Sequence, residues 1–191
     1  MNNHALFLDR DGTLNFDPGY LGNPELVKLF PGVSQSLAKL KNKYNFKLIV
    51  ISNQSGITRG LISEKDVIAV NDRINKILEV DNVSIDAFYF CPFHPEFDPV
   101  EKCECRKPSP KMVFEAVEDF SIDLSRSYFL GDSACDVLCG INAGIKTVLI
   151  KNTISEFEIN NLHNGGNSPN FVAGNFNEAC DFIIKDFEGE N

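Results

Sequence analysis

Five short apolar runs, separated by stretches of helical periodicity, constrain this chain most. The runs cover residues 5–8, 46–51, 87–90, 128–130 and 146–150. They are close to continuous rather than alternating, which fits strands covered on both faces. Between them, Val33, Leu37 and Leu40 recur at helical spacing. So do Val67, Val70, Ile74, Ile77 and Leu78, in a segment opened by Ser63-Glu64-Lys65-Asp66. Residues 112–120 and 135–143 give two more helices. Strands alternating with helices predict an α/β fold, with a mostly parallel sheet between two helical layers. In such sheets ligands bind beyond the carboxyl ends of the strands. The polar, Gly-rich residues 161–170 read as a loop. A last helix over 178–187 is expected to pack on an edge, followed by a frayed tail at 188–191. A length of 191 residues bounds the chain to one domain over 1–191, able to bury a core without disulfides.

The formal net charge is −9, a poor match to a general nucleic-acid binder. It does not exclude an anionic substrate, because a local cation inverts the field in a single cleft. No apolar run reaches the roughly 18 residues of a membrane span. The first residues lack a basic segment followed by an apolar one, so no secretory signal is read and a cytoplasmic location is expected. The six cysteines are then expected to be reduced. Cys91, Cys103 and Cys105 cluster, which asks for a metal before a disulfide. Cys135, Cys139 and Cys180 are expected in the core, and His4 and His163 are expected to take no part.

Four strand ends carry chemistry. The first runs into Asp9-Arg10-Asp11-Gly12-Thr13, where alternation along the strand points both carboxylates the same way. Paired carboxylates suit Mg²⁺, which prefers oxygen ligands; a solvated Asp-Gly turn is the plainer reading. The second ends in Ser52-Asn53-Gln54-Ser55-Gly56, able to offer N–H groups and a hydroxyl to an anion or simply to cap the next helix. After the third come Arg106-Lys107-Pro108, where the lysine suits a phosphate and the plain alternative is a basic loop. The fourth ends in Gly131-Asp132-Ser133, with Asp136 four residues on. Asp132 would complete a carboxylate cage or serve as a helix cap.

Asp9-Arg10-Asp11-Gly12-Thr13, Ser52-Asn53, Lys107-Pro108 and Gly131-Asp132 with Asp136 together resemble the haloacid dehalogenase-like phosphatases, over about residues 5–150. Within that family, residues 7–15, 52–57 and 103–108 resemble the branch of the heptose bisphosphate and histidinol-phosphate phosphatases. Asp17-Pro18-Gly19-Tyr20 and Thr58-Arg59-Gly60 are more similar to the heptose enzymes.

The resemblance implies a Rossmann-like three-layer sandwich without a large cap domain. It implies a Mg²⁺-dependent phosphatase acting on a small phosphorylated sugar. The 7-phosphate of D-glycero-D-manno-heptose 1,7-bisphosphate is the leading substrate, in nucleotide-heptose synthesis, with histidinol phosphate or another small phosphomonoester as the alternative. A non-catalytic phosphate-binding module is the remaining reading. Asp9 would be the nucleophile and Asp11 the general acid and base, with Mg²⁺ on Asp9, the Asp11 carbonyl and Asp132. Ser52, Asn53 and Lys107 would hold the transferring oxygens. Arg10, Gly19, Tyr20, Gln54, Ser55, Arg59 and Arg106 would contact the substrate, the arginines at 59 and 106 taking a second phosphate.

Cys91, His94, Cys103 and Cys105 would bind a structural Zn²⁺ in a loop at about 91–105. The family carries Cys-x-His there, whereas this chain has Phe93 in that slot and His94 one place later, so an incomplete site is the competing reading. Relatives also place Lys or Arg where this chain has Ser133. A monomer is expected, with neither nucleic acid nor membrane as partner.

Overall fold

All five apolar runs become strands of a single sheet. A computed structural model of the chain describes residues 3–189. The strands are β1 (Ala5–Leu8), β2 (Lys47–Asn53), β3 (Ala87–Cys91), β4 (Tyr128–Gly131) and β5 (Lys146–Ile150), joined by a sixth, β6 (Phe171–Ala173). Their order is β3-β2-β1-β4-β5-β6, and every pairing is parallel. The expected mostly parallel sheet is thus wholly parallel, and no large cap is inserted among the described residues.

Alternation along β1 splits the core. Leu6 and Leu8 face one layer with α1 (Val33–Tyr44), α2 (Glu64–Leu78) and α6 (Phe176–Glu188). Ala5 and Phe7 face the other, with α3 (Lys111–Phe120) and α4 (Ala134–Ala143). Helix α5 (Glu156–Asn164) packs Ile159 and Leu162 on Val137 and Leu149. Each fully buried Leu or Ile on these faces contributes about 1.5–3 kcal/mol over an exposed one.

Three expectations shift. Residues 161–164 belong to α5, whose start is fixed by a capping box between Ser155 and Glu158. Helix α6 lies on the sheet face beside α1 rather than on an edge, because Ala179, Cys180 and Ile183 are buried in that layer. Of the tail expected to fray, Glu188 closes α6, and residues 190–191 lie outside the described residues. No described helix is long and apolar enough to cross a membrane.

The topology places the site. Strand β1 has β2 on one side and β4 on the other, so the winding direction reverses between β1 and β4. Loops leaving their carboxyl ends diverge there and open a crevice.

Candidate active site

The loop after β1 fills that crevice. Asp9 N–H donates to Leu130 O at 2.9 Å, carrying the β1–β4 pairing one residue past the strand. The chain then turns sharply, with Leu14 N–H on Arg10 O at 2.9 Å. Gly12 sits at φ +87°, and a Cβ there would collide with the Asp132 carboxylate. Glycine is needed twice over, for the backbone angle and for the close approach. Asp132, at the tip of β4, is held by two hydroxyls: Thr13 Oγ1 donates to Oδ1 at 3.1 Å and Thr153 Oγ1 to Oδ2.

Lys107 reaches the same point from the loop before α3. Its Nζ donates to Asp9 Oδ1 at 2.6 Å, Asp136 Oδ1 at 2.6 Å and Ile51 O at 2.7 Å. Asn53, at the end of β2, fixes the Lys107 backbone from both sides, accepting its N–H at 3.0 Å and donating to its carbonyl at 3.2 Å. Asp136 divides its two oxygens. Oδ1 takes Lys107, while Oδ2 accepts the Ser133 N–H at 3.1 Å and the Ser133 hydroxyl, closing the first turn of α4.

One oxygen from each of Asp9, Asp132 and Asp136 lies within 4.8 Å of the other two. Burial pushes the Asp9 carboxyl well above the ordinary carboxylate range; Lys107 opposes the shift, and Asp136 and Asp132 add to it. Burial lifts Asp132 to about 6, with Asp136 adding and the threonine hydroxyls resisting. Burial alone would lower the Lys107 ammonium, but the Asp136 and Asp9 carboxylates outweigh it and the net shift is upward. Asp9, Asp11, Asp132 and Asp136 thus set four carboxylates against the two cations Lys107 and Arg10. Such crowding suits a divalent cation. Asp9 and Asp132 face the cleft and Asp136 does not, so Asp9 and Asp132 are the acids able to hold it, and their oxygens match the preference of Mg²⁺.

A cleft of about 420 Å³ opens over this cluster. Asp9, Asp11, Gly19, Tyr20, Asn53, Gln54, Ser55, Lys107, Asp132 and Ser133 line it, as do Cys135 and Thr153. The ends of β1 and β4, Leu8 and Gly131, distant in sequence, thus meet as the fold rule requires.

Other expected site residues stand elsewhere. Arg10 is wholly buried, bonded to Asp11 and Asn71, and does not line the cleft. Arg59 stacks on Phe97 and pairs with Glu96 at 3.4 Å, and Arg106 donates to Phe93 O; neither lines the cleft. Ser52 is buried with its hydroxyl accepting from Gln54 Nε2, beneath the surface of the cleft. Cys135, expected in the core, lines the cleft instead. Thr153 was not anticipated, although it follows β5 as the other site residues follow their strands.

The cysteine loop departs most. Cys91 and Cys105 are joined by a disulfide and Cys103 is free. The expectation of six reduced thiols is corrected by this disulfide, and the expected zinc ligands Cys91, His94, Cys103 and Cys105 are not brought together: two of the four are bonded to each other, and among the described residues the four form no metal-binding group. Phe93 packs on the Met112 and Val113 cluster, while His94 faces Glu96, 3.7 Å from Nδ1 to Oε2.

Comparison with known proteins agrees with this geometry. The HAD-hydrolase-like family model matches residues 104–179. The chain is 39% identical over 168 residues to the D-glycero-D-manno-heptose-1,7-bisphosphate 7-phosphatase of Chlorobaculum tepidum, spanning 83% of this chain and 84% of that protein. It is 39% identical over 152 residues to the D-glycero-beta-D-manno-heptose-1,7-bisphosphate 7-phosphatase of Haemophilus influenzae, spanning 78% and 82%. The crystal structure of the D,D-heptose 1,7-bisphosphate phosphatase from B. bronchiseptica, complexed with magnesium and phosphate, matches with a TM-score of 0.81 at 26% identity. That match covers 96% of this chain and 99% of the other.

Proposed function

The chain belongs to the haloacid dehalogenase-like phosphatases, and from that premise we propose that it removes the 7-phosphate of D-glycero-D-manno-heptose 1,7-bisphosphate, in nucleotide-heptose synthesis, through a phosphoryl group carried on Asp9. The observation that carries this reading is the convergence of Asp9, Asp11, Lys107 and Asp132 on one cleft. The relatives that match most of the chain carry this substrate in their names.

In the first step an Asp9 oxygen forms a bond to phosphorus. The bond from phosphorus to the sugar oxygen breaks, and Asp11 gives that oxygen a proton. In the second, Asp11 takes a proton from water, the water oxygen bonds to phosphorus, and the Asp9–phosphorus bond breaks, restoring the carboxylate. Lys107 holds one Asp9 oxygen, leaving the other to attack. Asp9, Asp132 and the Asp11 carbonyl would hold Mg²⁺, which would supply the positive charge that lets two anions meet. The reading carries with it a cytoplasmic monomer with no nucleic-acid or membrane partner.

Phosphate release across both heptose bisphosphate anomers, fructose 1,6-bisphosphate and histidinol phosphate tests the substrate. A heptose bisphosphate should lead by at least about tenfold in kcat/KM, the effect of one or two substrate contacts. Equal or faster turnover of histidinol phosphate would overturn the assignment.

The shifted acids give a second expectation. In metal-free protein the raised pKa of Asp132 favours the fold in its protonated form. That contribution is full below its ordinary value of 3.8 and lost as pH rises through about 6. Bound Mg²⁺ needs the ionised form and so competes with the proton. Saturating Mg²⁺ should therefore raise the Tm of EDTA-stripped protein clearly at pH 7.5 and little at pH 5. Equal shifts at both values would refute the assignment of Asp132 as a ligand.

A further inference from the structure

Arg10 stands between the two acids of the catalytic loop, yet it is the largest wholly buried side chain among the described residues. Burying a guanidinium is costly unless its nitrogens find acceptors. Here Nε and Nη2 donate to Asp11 Oδ2 at 3.0 and 2.9 Å, and Nη1 donates to Asn71 Oδ1 at 2.9 Å. Asn71 belongs to α2, on a buried stripe whose other members are Val67, Val70, Ile74 and Leu78. One amide thus interrupts an apolar face to meet one arginine.

The consequence falls on Asp11. Its Oδ2 accepts three N–H groups, two from Arg10 and one from Gln54 at 2.8 Å. Its Oδ1 accepts one, from Asn15 at 2.9 Å. An oxygen with three donors has no lone pair left for a proton, whereas Oδ1 keeps one. The grip also explains why Asp11, two residues from Asp9, stays out of the cluster formed by Asp9, Asp132 and Asp136.

We propose that Asn71 is a positioning residue for proton transfer: through Arg10 it holds the Asp11 carboxylate away from the acid cluster, with Oδ1 as the oxygen that carries the proton to the leaving group. This rests on the reading of Asp11 as the general acid. Asn71 touches neither substrate nor reacting atoms.

The test compares two leaving groups, because a sugar alkoxide needs a proton to depart and p-nitrophenolate does not. For both substrates kcat/KM reports only the steps through cleavage of the first phosphorus–oxygen bond. Asn71→Leu should lower kcat/KM about ten- to a hundredfold on a sugar phosphate, part of the effect of a general acid. On p-nitrophenyl phosphate the loss should stay within about threefold, the scale of an unperturbed chemical step. Asn71→Asp, which keeps the acceptor oxygen, should restore the wild-type ratio of the two. Asn71→Ser, which leaves room for water beside Arg10, should show the same skew and serves if the leucine variant does not fold. Equal losses on both substrates, or none on either, would overturn the proposal. Asp11→Asn separates the two readings. A skew there without one at Asn71 sinks only the positioning role, and no skew at Asp11 sinks the general-acid reading itself.

Discussion

Asp9→Asn should reduce phosphate release by about 10⁴-fold or more, the scale seen when a covalent nucleophile is removed, while the fold persists. The amide has the size of the carboxylate but no anionic oxygen to attack phosphorus. Folding should not suffer. Asp9 is buried beside two other acids, and burial with their repulsion already disfavours its charge. Lys107 loses one partner and keeps Asp136 and Ile51 O. The Tm of metal-free variant should therefore equal or exceed that of the parent. Intact-protein mass measured after rapid acid quench should show a phosphorylated species in the parent and none in the variant. Substantial residual turnover in Asp9→Asn would refute a phosphoryl group carried on this side chain.

Lys107→Met should damage both activity and stability, which makes it the more diagnostic change. Methionine fills the same channel without charge. Asp9 and Asp136 then face each other in a buried site with no cation between them. Removing one partner of a buried ion pair typically costs about 3–5 kcal/mol, so the midpoint of urea unfolding should drop at neutral pH in metal-free protein. Activity should fall about 10³-fold, comparable with loss of a charge that stabilises a developing anion. Adding Asp136→Asn should recover part of the stability, because one of the stranded charges disappears, and none of the activity. A double variant no more stable than Lys107→Met alone would show that the two side chains are not coupled.

The sequence is most legible where chemistry lies next to a strand. Asp9 and Asp132 stand directly after apolar runs, so a rule about strand ends finds them, whereas Lys107 lies well past the third strand and is found by the Arg106-Lys107-Pro108 motif. Thr153 obeys the same rule after β5, but a lone threonine carries too little signal to single out. Strand β6 has three residues, too few to show a period, and α5 was hidden by its polar composition although Ser155 and Glu158 marked its start. The burial of Arg10 is not legible in the sequence because burial is a tertiary property. An arginine between two aspartates looks like an open cation until Asn71, sixty-one residues on, closes over it. Arg59 and Arg106 are expected at the substrate by resemblance, but the structure engages them with Phe97, Glu96 and the Phe93 carbonyl, and neither lines the cleft. The cysteine loop turned on one position, since an aromatic ring at 93 seeks the core.

The pairing of β1 with β4 has a bearing on biosynthesis. Asp9 and Asp11 leave the ribosome early, but their partners at 107, 132 and 153 emerge only after most of the polypeptide has been translated. A nascent or prematurely terminated product ending before β4 carries Asp9 and Lys107 without Asp132, the second acid expected to hold the metal ion. Catalytic competence in this enzyme is therefore a late event in the life of each newly made molecule.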